Sequence, residues 1–464
     1  MRRHLWAAAQ FGAGNAIYLL FSALWTFELP RQITVERFAD WRLFVVYSSF
    51  VGALHGGALD ALLYRWSRRR SAAVPPSLWS IVGVLAIWHV VLGALWALAC
   101  WWFRVPHPLI GLVTAILAYA LIWNVVTCLQ YAMQAGRRFL PLSLFAALQG
   151  TFMGSLVLSG LFRPEHGPRA EWGFIGSAAF AGGVAFLPAA WVTGSWVAAG
   201  QLLRLLYRAV LAGFPILVVN LLLIALLNAD RIAVSVGFSR VEFAMYAFAA
   251  SLLAIANSLI SVGARFAVPY VTRWVQGRLF EDRFGAVQSL LFGSWALLLG
   301  AFVVVRWIVL RYLPAYVPAL RIAFIMALGA AFAGPIQILH LNYARAARRT
   351  WRSTAITVVA GILAVGAMAF CVATRSLALV AAGSVALFVT WWCLGSCFVL
   401  PVSPQMCLTH AWYFVAVAIL GAGWLWLLQA DGGSRAGAGI AGAVCVVAAA
   451  ISLAWPWRAA SKLA

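Results

Sequence analysis

Runs of about twenty apolar residues, separated by short polar segments rich in arginine, follow one another along all 464 residues. A helix needs ~20 such residues to cross the ~30 Å hydrocarbon core of a bilayer. The runs fall at 5–27, 43–64, 78–103, 109–133, 140–162 and 172–197. They resume at 205–227, 241–268, 284–305, 317–342, 351–373 and 377–400, and end at 412–428 and 437–457. Fourteen passes need ~280 residues, and a chain that is 65% hydrophobic with a mean hydropathy of +0.95 supplies them. No soluble core could hide that much apolar surface, so the expected fold class is an all-α integral membrane protein of about 14 transmembrane helices. Arg2 and Arg3 before an apolar run look like the start of a signal peptide. The run continues through 11–27 without a small-residue cleavage site, which predicts a first helix instead.

The net charge is +22. In a soluble protein this would point to nucleic acid. Here the arginines cluster at the ends of the runs, as the positive-inside rule describes. With the N-terminus in the cytoplasm, 20 of the 33 basic residues fall on the cytoplasmic side. Eight of the eleven acids fall opposite: Glu28, Glu36, Asp40, Glu165, Glu171, Asp230, Glu242 and Asp431. This segregation predicts an even number of spans and both termini in the cytoplasm, in a bacterial inner membrane. Nucleic acid is not an expected partner, whereas basic patches suit anionic lipid headgroups or anionic cargo. The seven cysteines lie in or beside apolar runs with no metal-ligand spacing, so they read as small apolar residues and no metal is expected. No nucleotide-binding loop is present and no cofactor is expected. Short connections leave no room for a soluble catalytic domain, so the chain does not read as an enzyme.

The chain also repeats itself. Arg65 and Arg137 stand 72 residues apart, as do Arg273 and Arg345, and at the offset of 208 that relates these two pairs Arg70 aligns with Arg278 and Gln134 with Asn342. Two six-helix bundles are expected, at 1–200 and 201–405, with a hairpin at 406–464. Repeats of six spans enter the membrane from the same side, and such halves enclose a central cleft in many transporters.

Several short motifs resemble one family. Glu36-Arg37-Phe38-Ala39-Asp40-Trp41 follows the first run where polysaccharide flippases carry a turn motif, although Ala39-Asp40 replaces its usual glycine. Asp60-Ala61-Leu62-Leu63-Tyr64-Arg65 resembles their exit from helix two. Gln130 to Arg138 and Leu341 to Arg349 are similar to the turns after their helices four and ten. Asn228-Ala229-Asp230-Arg231 resembles the end of helix seven, and Tyr246 and Pro269 fall where helix eight carries Tyr and Pro. The resemblance is to the polysaccharide transporter and O-antigen flippase branch of the multidrug/oligosaccharidyl-lipid/polysaccharide (MOP) flippase superfamily. It implies a V-shaped pair of bundles like that of multidrug and toxic compound extrusion (MATE) proteins. It also implies movement of lipid-linked oligosaccharide or polysaccharide, with a polysaccharide synthase or polymerase as a possible partner.

Polar residues inside the runs are the cleft candidates, and each has two readings. Asp60 is either a proton or cation site or an ion pair with Arg65. Asp230 and Arg231, at the end of the seventh run, either line the outer mouth or form a solvated pair of little worth. Arg265 and Arg345 either hold phosphate or uronate in bidentate fashion or snorkel to headgroups. His55, His89 and His340 either titrate during a cycle or hydrogen-bond a neighbouring helix. Asn15, Asn220 and Gln337 either meet sugar hydroxyls or join helices. Pro188, Pro215, Pro269 and Pro335 either break helices at the cleft or kink them. Tryptophans such as Trp25, Trp41, Trp66, Trp101 and Trp102 read as interfacial belt residues.

The expectation is a flippase that exports lipid-linked oligosaccharide or polysaccharide by alternating access. The alternatives are a cation-coupled multidrug antiporter on the same fold and a membrane glycosyltransferase or polymerase. An enzyme of that kind usually needs a large outer loop or paired acids, and Glu28, Glu36 and Asp40 are spread out.

Overall fold

The computed structural model describes residues 2–67, 77–135, 138–163, 169–191, 197–347, 349–400, 404–430 and Cys445. These residues are nearly all helical, with no strand among them. The helices are α1 (Arg2–Gln32), α2 (Val35–Ser48), α3 (Ala58–Ser67), α4 (Leu78–Phe103), α5 (His107–Ala135), α6 (Phe139–Leu158), α7 (Ala170–Trp191) and α8 (Ala199–Gly237). There follow α9 (Arg240–Gln276), α10 (Phe280–Tyr312), α11 (Ala319–Pro335), α12 (Leu341–Ala346), α13 (Thr350–Ala373), α14 (Leu377–Phe398) and α15 (Pro404–Ala430). Eleven helical stretches among the described residues are long and apolar enough to span a membrane. The expected run at 437–457 lies outside the described residues apart from Cys445. The contacts divide the chain into two compact units, residues 1–228 and 229–464.

Lipid as solvent is written on the surfaces. Trp101, Trp102 and Phe103 at the end of α4 are exposed, as are Ile362, Val365 and Phe370 on α13 and Ile419 on α15. In water such faces would drive aggregation; in hydrocarbon they are the outer wall. Trp101 and Trp102 are exposed, as belt residues have to be. Trp25, Trp41 and Trp66 are not belt residues, because all three are buried. Trp25 and Trp41 belong instead to an aromatic cluster with Phe44, Tyr119, Phe162 and Phe174 that joins α1, α2, α5 and α7. Aromatic rings at helix ends serve a bundle core as readily as an interface, and a sequence does not distinguish the two.

In the N-terminal unit α1 packs along α6 through a seam of small residues. A Cβ on Gly150 would meet the Cα of Tyr18 at 2.7 Å, and one on Gly14 would overlap the backbone of Ser143. Between membrane helices no hydrophobic force favours contact over lipid, so close backbone approach supplies the attraction.

The second span is not one helix. α2 stops at Ser48, a 3₁₀ turn occupies Val51–His55, and α3 starts at Ala58. Gly56 and Gly57 both take left-handed backbone, with φ of 60° and 77°, which glycine alone adopts without strain. The continuous apolar run predicted an unbroken helix, and the break is a correction. Breaking a helix inside hydrocarbon frees carbonyls that have no water to meet. Two are taken up by side chains: Asn124 Nδ2 donates to Val51 O at 3.1 Å, and Trp88 Nε1 donates to Leu54 O at 2.9 Å.

In the C-terminal unit α11 is the central, mostly buried helix and packs on α9, α10, α14 and α15. Pro335 ends it, and Ile336–His340 continue as a π-helical turn into α12. Proline lacks the N–H that would bond the carbonyl four residues back, which is Ala331 O. Tyr413 of α15 donates its hydroxyl to that carbonyl. Downstream, Asn342 Nδ2 donates to Ile338 O at 3.0 Å and to Ala264 O of α9 at 2.9 Å. The N-terminus of α9 is closed by a capping box, in which Ser239 N–H donates to Glu242 at 2.9 Å while Glu242 N–H donates back to Ser239 Oγ.

Two outcomes test this account. Gly150→Ala should lower the stability of the purified protein by about 1–3 kcal/mol, the usual cost of overpacking, in a thermal melt. Gly12→Ala, where a Cβ meets nothing within 4 Å, should not lower it. Tyr413→Phe should cost about 1–3 kcal/mol for a buried carbonyl left unpaired. In a Pro335→Ala background, which restores the missing N–H, that penalty should shrink toward zero; an undiminished penalty would break the link between the two residues.

Candidate functional site

The sequence-derived candidates gather in three places. Around the break in the second span, His55 ends the 3₁₀ turn and its Nδ1 accepts the Gly57 N–H at 3.1 Å, which braces the left-handed turn. Asp60 lies in the first turn of α3, where the helix dipole favours a carboxylate. Tyr131 of α5 donates its hydroxyl to Asp60 Oδ1 at 3.3 Å. The side chain of Arg65, the expected ion-pair partner, lies outside the described residues. Asp60 is half-buried.

Beneath this turn, His89 of α4 is buried and held at both nitrogens. Nδ1 lies 2.7 Å from Leu85 O, and Nε2 lies 2.9 Å from Asn124 Nδ2. A carbonyl can only accept and an amide nitrogen can only donate, so the ring carries its proton on Nδ1. His89 therefore joins two helices through Asn124 and has no ring nitrogen left for a ligand. A groove of about 460 Å³ runs past it between α4 and α5, lined by Val90, Trp96, Ala97, Leu117 and Leu121 among others. Its almost wholly apolar lining suits aliphatic chains rather than sugar.

The second place is on α8. The apolar run predicted a helix end at Leu227, but α8 continues to Gly237, so Asp230 and Arg231 sit about two turns inside it. Asp230 is 4% exposed. Its Oδ2 accepts the hydroxyl of Tyr246, a fully buried residue of α9, at 2.8 Å, and its Oδ1 accepts the Arg231 N–H at 2.8 Å. A carboxylate in this position is a buried acceptor clamped between two helices, not a solvated end group. Asn228, one turn earlier than Ile232, is also buried and donates to Ile224 O at 2.9 Å. Arg231 is half-buried.

The third place is the π-helical turn, which carries both Gln337 and His340. His340 is 3% exposed, and its Nε2 lies 3.3 Å from Ser396 Oγ of α14. Gly395 beside it is required: a Cβ there would overlap His340 Nδ1. Gln337 is half-buried. Arg345, in the last turn of α12, is exposed.

The remaining candidates stand alone. Asn15 on α1 and Asn220 on α8 are half-buried. Arg265 lies within α9, but its side chain is outside the described residues. All seven cysteines are free, and no cluster of three or more His, Cys, Asp or Glu side chains suited to a metal occurs among the described residues. Sequence reasoning missed Tyr131 as the partner of Asp60. Its signal was its place in the motif Gln130 to Arg138, one helix away from any acid. Tyr246 was noted only as a motif position, and its partnership with Asp230 follows from the extra two turns of α8.

No family model and no curated protein matches the chain. Solved structures do match by shape. One is a lipid II flippase, MurJ, in its inward closed conformation, with a TM-score of 0.68 at 10% identity, over 97% of this chain and 98% of that one. Another is a eukaryotic MATE transporter, with a TM-score of 0.55 at 12% identity, over 88% of this chain and 97% of that one. Both have the fold that the sequence resemblance implied, and the chain has the helical membrane fold common to a lipid II flippase and a MATE transporter.

Proposed function

We propose that the chain moves a lipid-linked oligosaccharide or polysaccharide across a bacterial inner membrane by alternating access, with both termini in the cytoplasm. The likeness over nearly the whole length to a lipid II flippase carries this reading. A fold hosts several functions, so residues must bear the weight as well. The polar side chains within the spans are mostly amides, hydroxyls and imidazoles, which suit sugar hydroxyls, and the exposed Arg345 at the end of α12 suits phosphate. Lipid-facing apolar walls leave the carrier's tail in the bilayer.

A second reading has its own observation. A cation-coupled antiporter needs a carboxylate within the spans, and Asp230 lies inside the seventh apolar run's helix rather than beyond it. The same carboxylate serves a flippase driven by an ion gradient. An enzyme draws no support from the fold, and a synthase or polymerase partner remains an expectation of the sequence resemblance.

Deleting the gene should leave lipid-linked oligosaccharide on the cytoplasmic leaflet, out of reach of a membrane-impermeant glycan label added outside. Sodium- or proton-dependent dye efflux by proteoliposomes, without glycolipid movement, would favour the antiporter. Arg345→Ala and Arg231→Ala should each lower export more than abundance; equal losses would assign these arginines to folding. Asp230→Asn should lower gradient-driven transport by about tenfold or more, the scale set by losing a charge-assisted hydrogen bond. Rates equal to wild type in a vesicle flux assay would reduce the Asp230–Tyr246 pair to a helix-to-helix contact.

A further inference from the structure

We propose that the C-terminal unit contains an internal water-binding site held by His340, His410 and Gln288 and bounded by Trp392. These side chains come from four different elements: the π-helical turn, α15, α10 and α14. His340 and Trp392 are 3% and 4% exposed, and Gln288 is fully buried. His340 Nδ1, both ring nitrogens of His410, both amide atoms of Gln288 and Trp392 Nε1 are buried with no hydrogen-bond partner in the protein. Six such atoms on four neighbouring side chains is a local concentration that calls for a partner, and a bound water supplies one.

The atoms converge. The rings of Trp392 and His410 stand 5.1 Å apart, and those of His340 and His410 stand 6.4 Å apart. Phe284 of α10 packs edge-on against His410 at 4.9 Å, and Phe292, two turns along, meets Tyr413 of α15 at 6.0 Å. Gln288 lies midway between these two on the same stripe of α10, facing the His410–Tyr413 side of α15. At 6.4 Å between centroids the two imidazoles leave roughly 4 Å between their nearest ring atoms, too far for a direct bond, whereas one water with legs of about 2.8 Å bridges such a gap.

The donor and acceptor inventory selects the ligand. A neutral imidazole offers one donor and one acceptor, a glutamine amide offers both kinds, and an indole offers only a donor. A metal cation would be opposed by the indole and amide N–H groups. An anion would be opposed by the imidazole and amide acceptors. Water alone matches a mixed set, and a buried water needs two to four polar partners of this sort. The site lies against the π-helical turn, an irregularity that often marks functional positions. Exchangeable water bonds would let α10, α14 and α15 re-pair around that turn without orphaning a polar atom. That consequence rests on the transport reading; the water site does not.

Radiolytic hydroxyl footprinting of the purified protein in lipid nanodiscs tests the site, because side chains beside bound internal water are oxidised despite burial. Trp295 is the control: it is 4% exposed, like Trp392, but its Nε1 donates to Ala327 O at 2.9 Å. Trp392 should be oxidised several-fold faster than Trp295. The double variant Gln288→Leu/His410→Phe should bring Trp392 down to the Trp295 rate, and His410→Gln, which keeps a donor and an acceptor, should retain most of the excess. Equal rates for the two tryptophans in the unmodified protein would overturn the proposal. No substrate enters the assay, so that result would leave the transport reading untouched.

Discussion

The break after α2 and the turn at Pro335 answer to one constraint: inside hydrocarbon a backbone N–H or C=O must find its partner within the protein. Regular helices meet it by themselves, and most of the chain is regular helix. Where the helix stops, side chains take over. At the break after α2, Asn124 and Trp88 accept the duty for Val51 and Leu54. At Pro335, Tyr413 supplies the hydrogen that proline cannot. These side chains come from other helices, so each patch also fixes how helices pack.

That coupling explains why the candidate residues cluster at irregular backbone. His55 and Asp60 flank the Gly56–Gly57 turn, and Gln337 and His340 share the π-helical turn. An irregular segment must be surrounded by polar groups, and a polar surround is where a hydrophilic cargo or ion can be met. Asp230 follows another route. It sits in regular helix, and Tyr246 from α9 makes its burial tolerable. The two readings of the protein, glycolipid flippase and ion-coupled antiporter, ask the same of the fold; an antiporter requires this carboxylate, whereas a flippase uses it only where an ion gradient drives transport.

Much of the architecture was legible. The runs at 351–373 and 377–400 correspond to α13 and α14 within one or two residues, because a membrane helix is defined by apolar length and nothing else competes. Where the reading went astray, apolar content hid the answer. The run at 43–64 is apolar apart from Ser48, Ser49, His55 and Asp60, which are too scattered to mark an end, so the turn at Gly56–Gly57 was signalled only by two adjacent glycines beside His55. The seventh run ends at Leu227 because the polar residues from Asn228 onward resemble a terminus, yet α8 carries them inward to Gly237. His410 drew no notice, sitting alone before an apolar run, although it lies beside His340 and Trp392.

The amino-acid sequence by itself determined that lipid is the solvent, that helices are the elements and roughly where each begins and ends. Those properties follow from local apolar length and the placing of arginines, which need no knowledge of neighbours. Only the tertiary structure decided which tryptophans are core and which are belt, which carbonyls Asn124 and Tyr413 serve, and that Asp230 is clamped by Tyr246. Each of those is a meeting between helices, and it depends on packing angles and helix rotation that no run of residues encodes on its own.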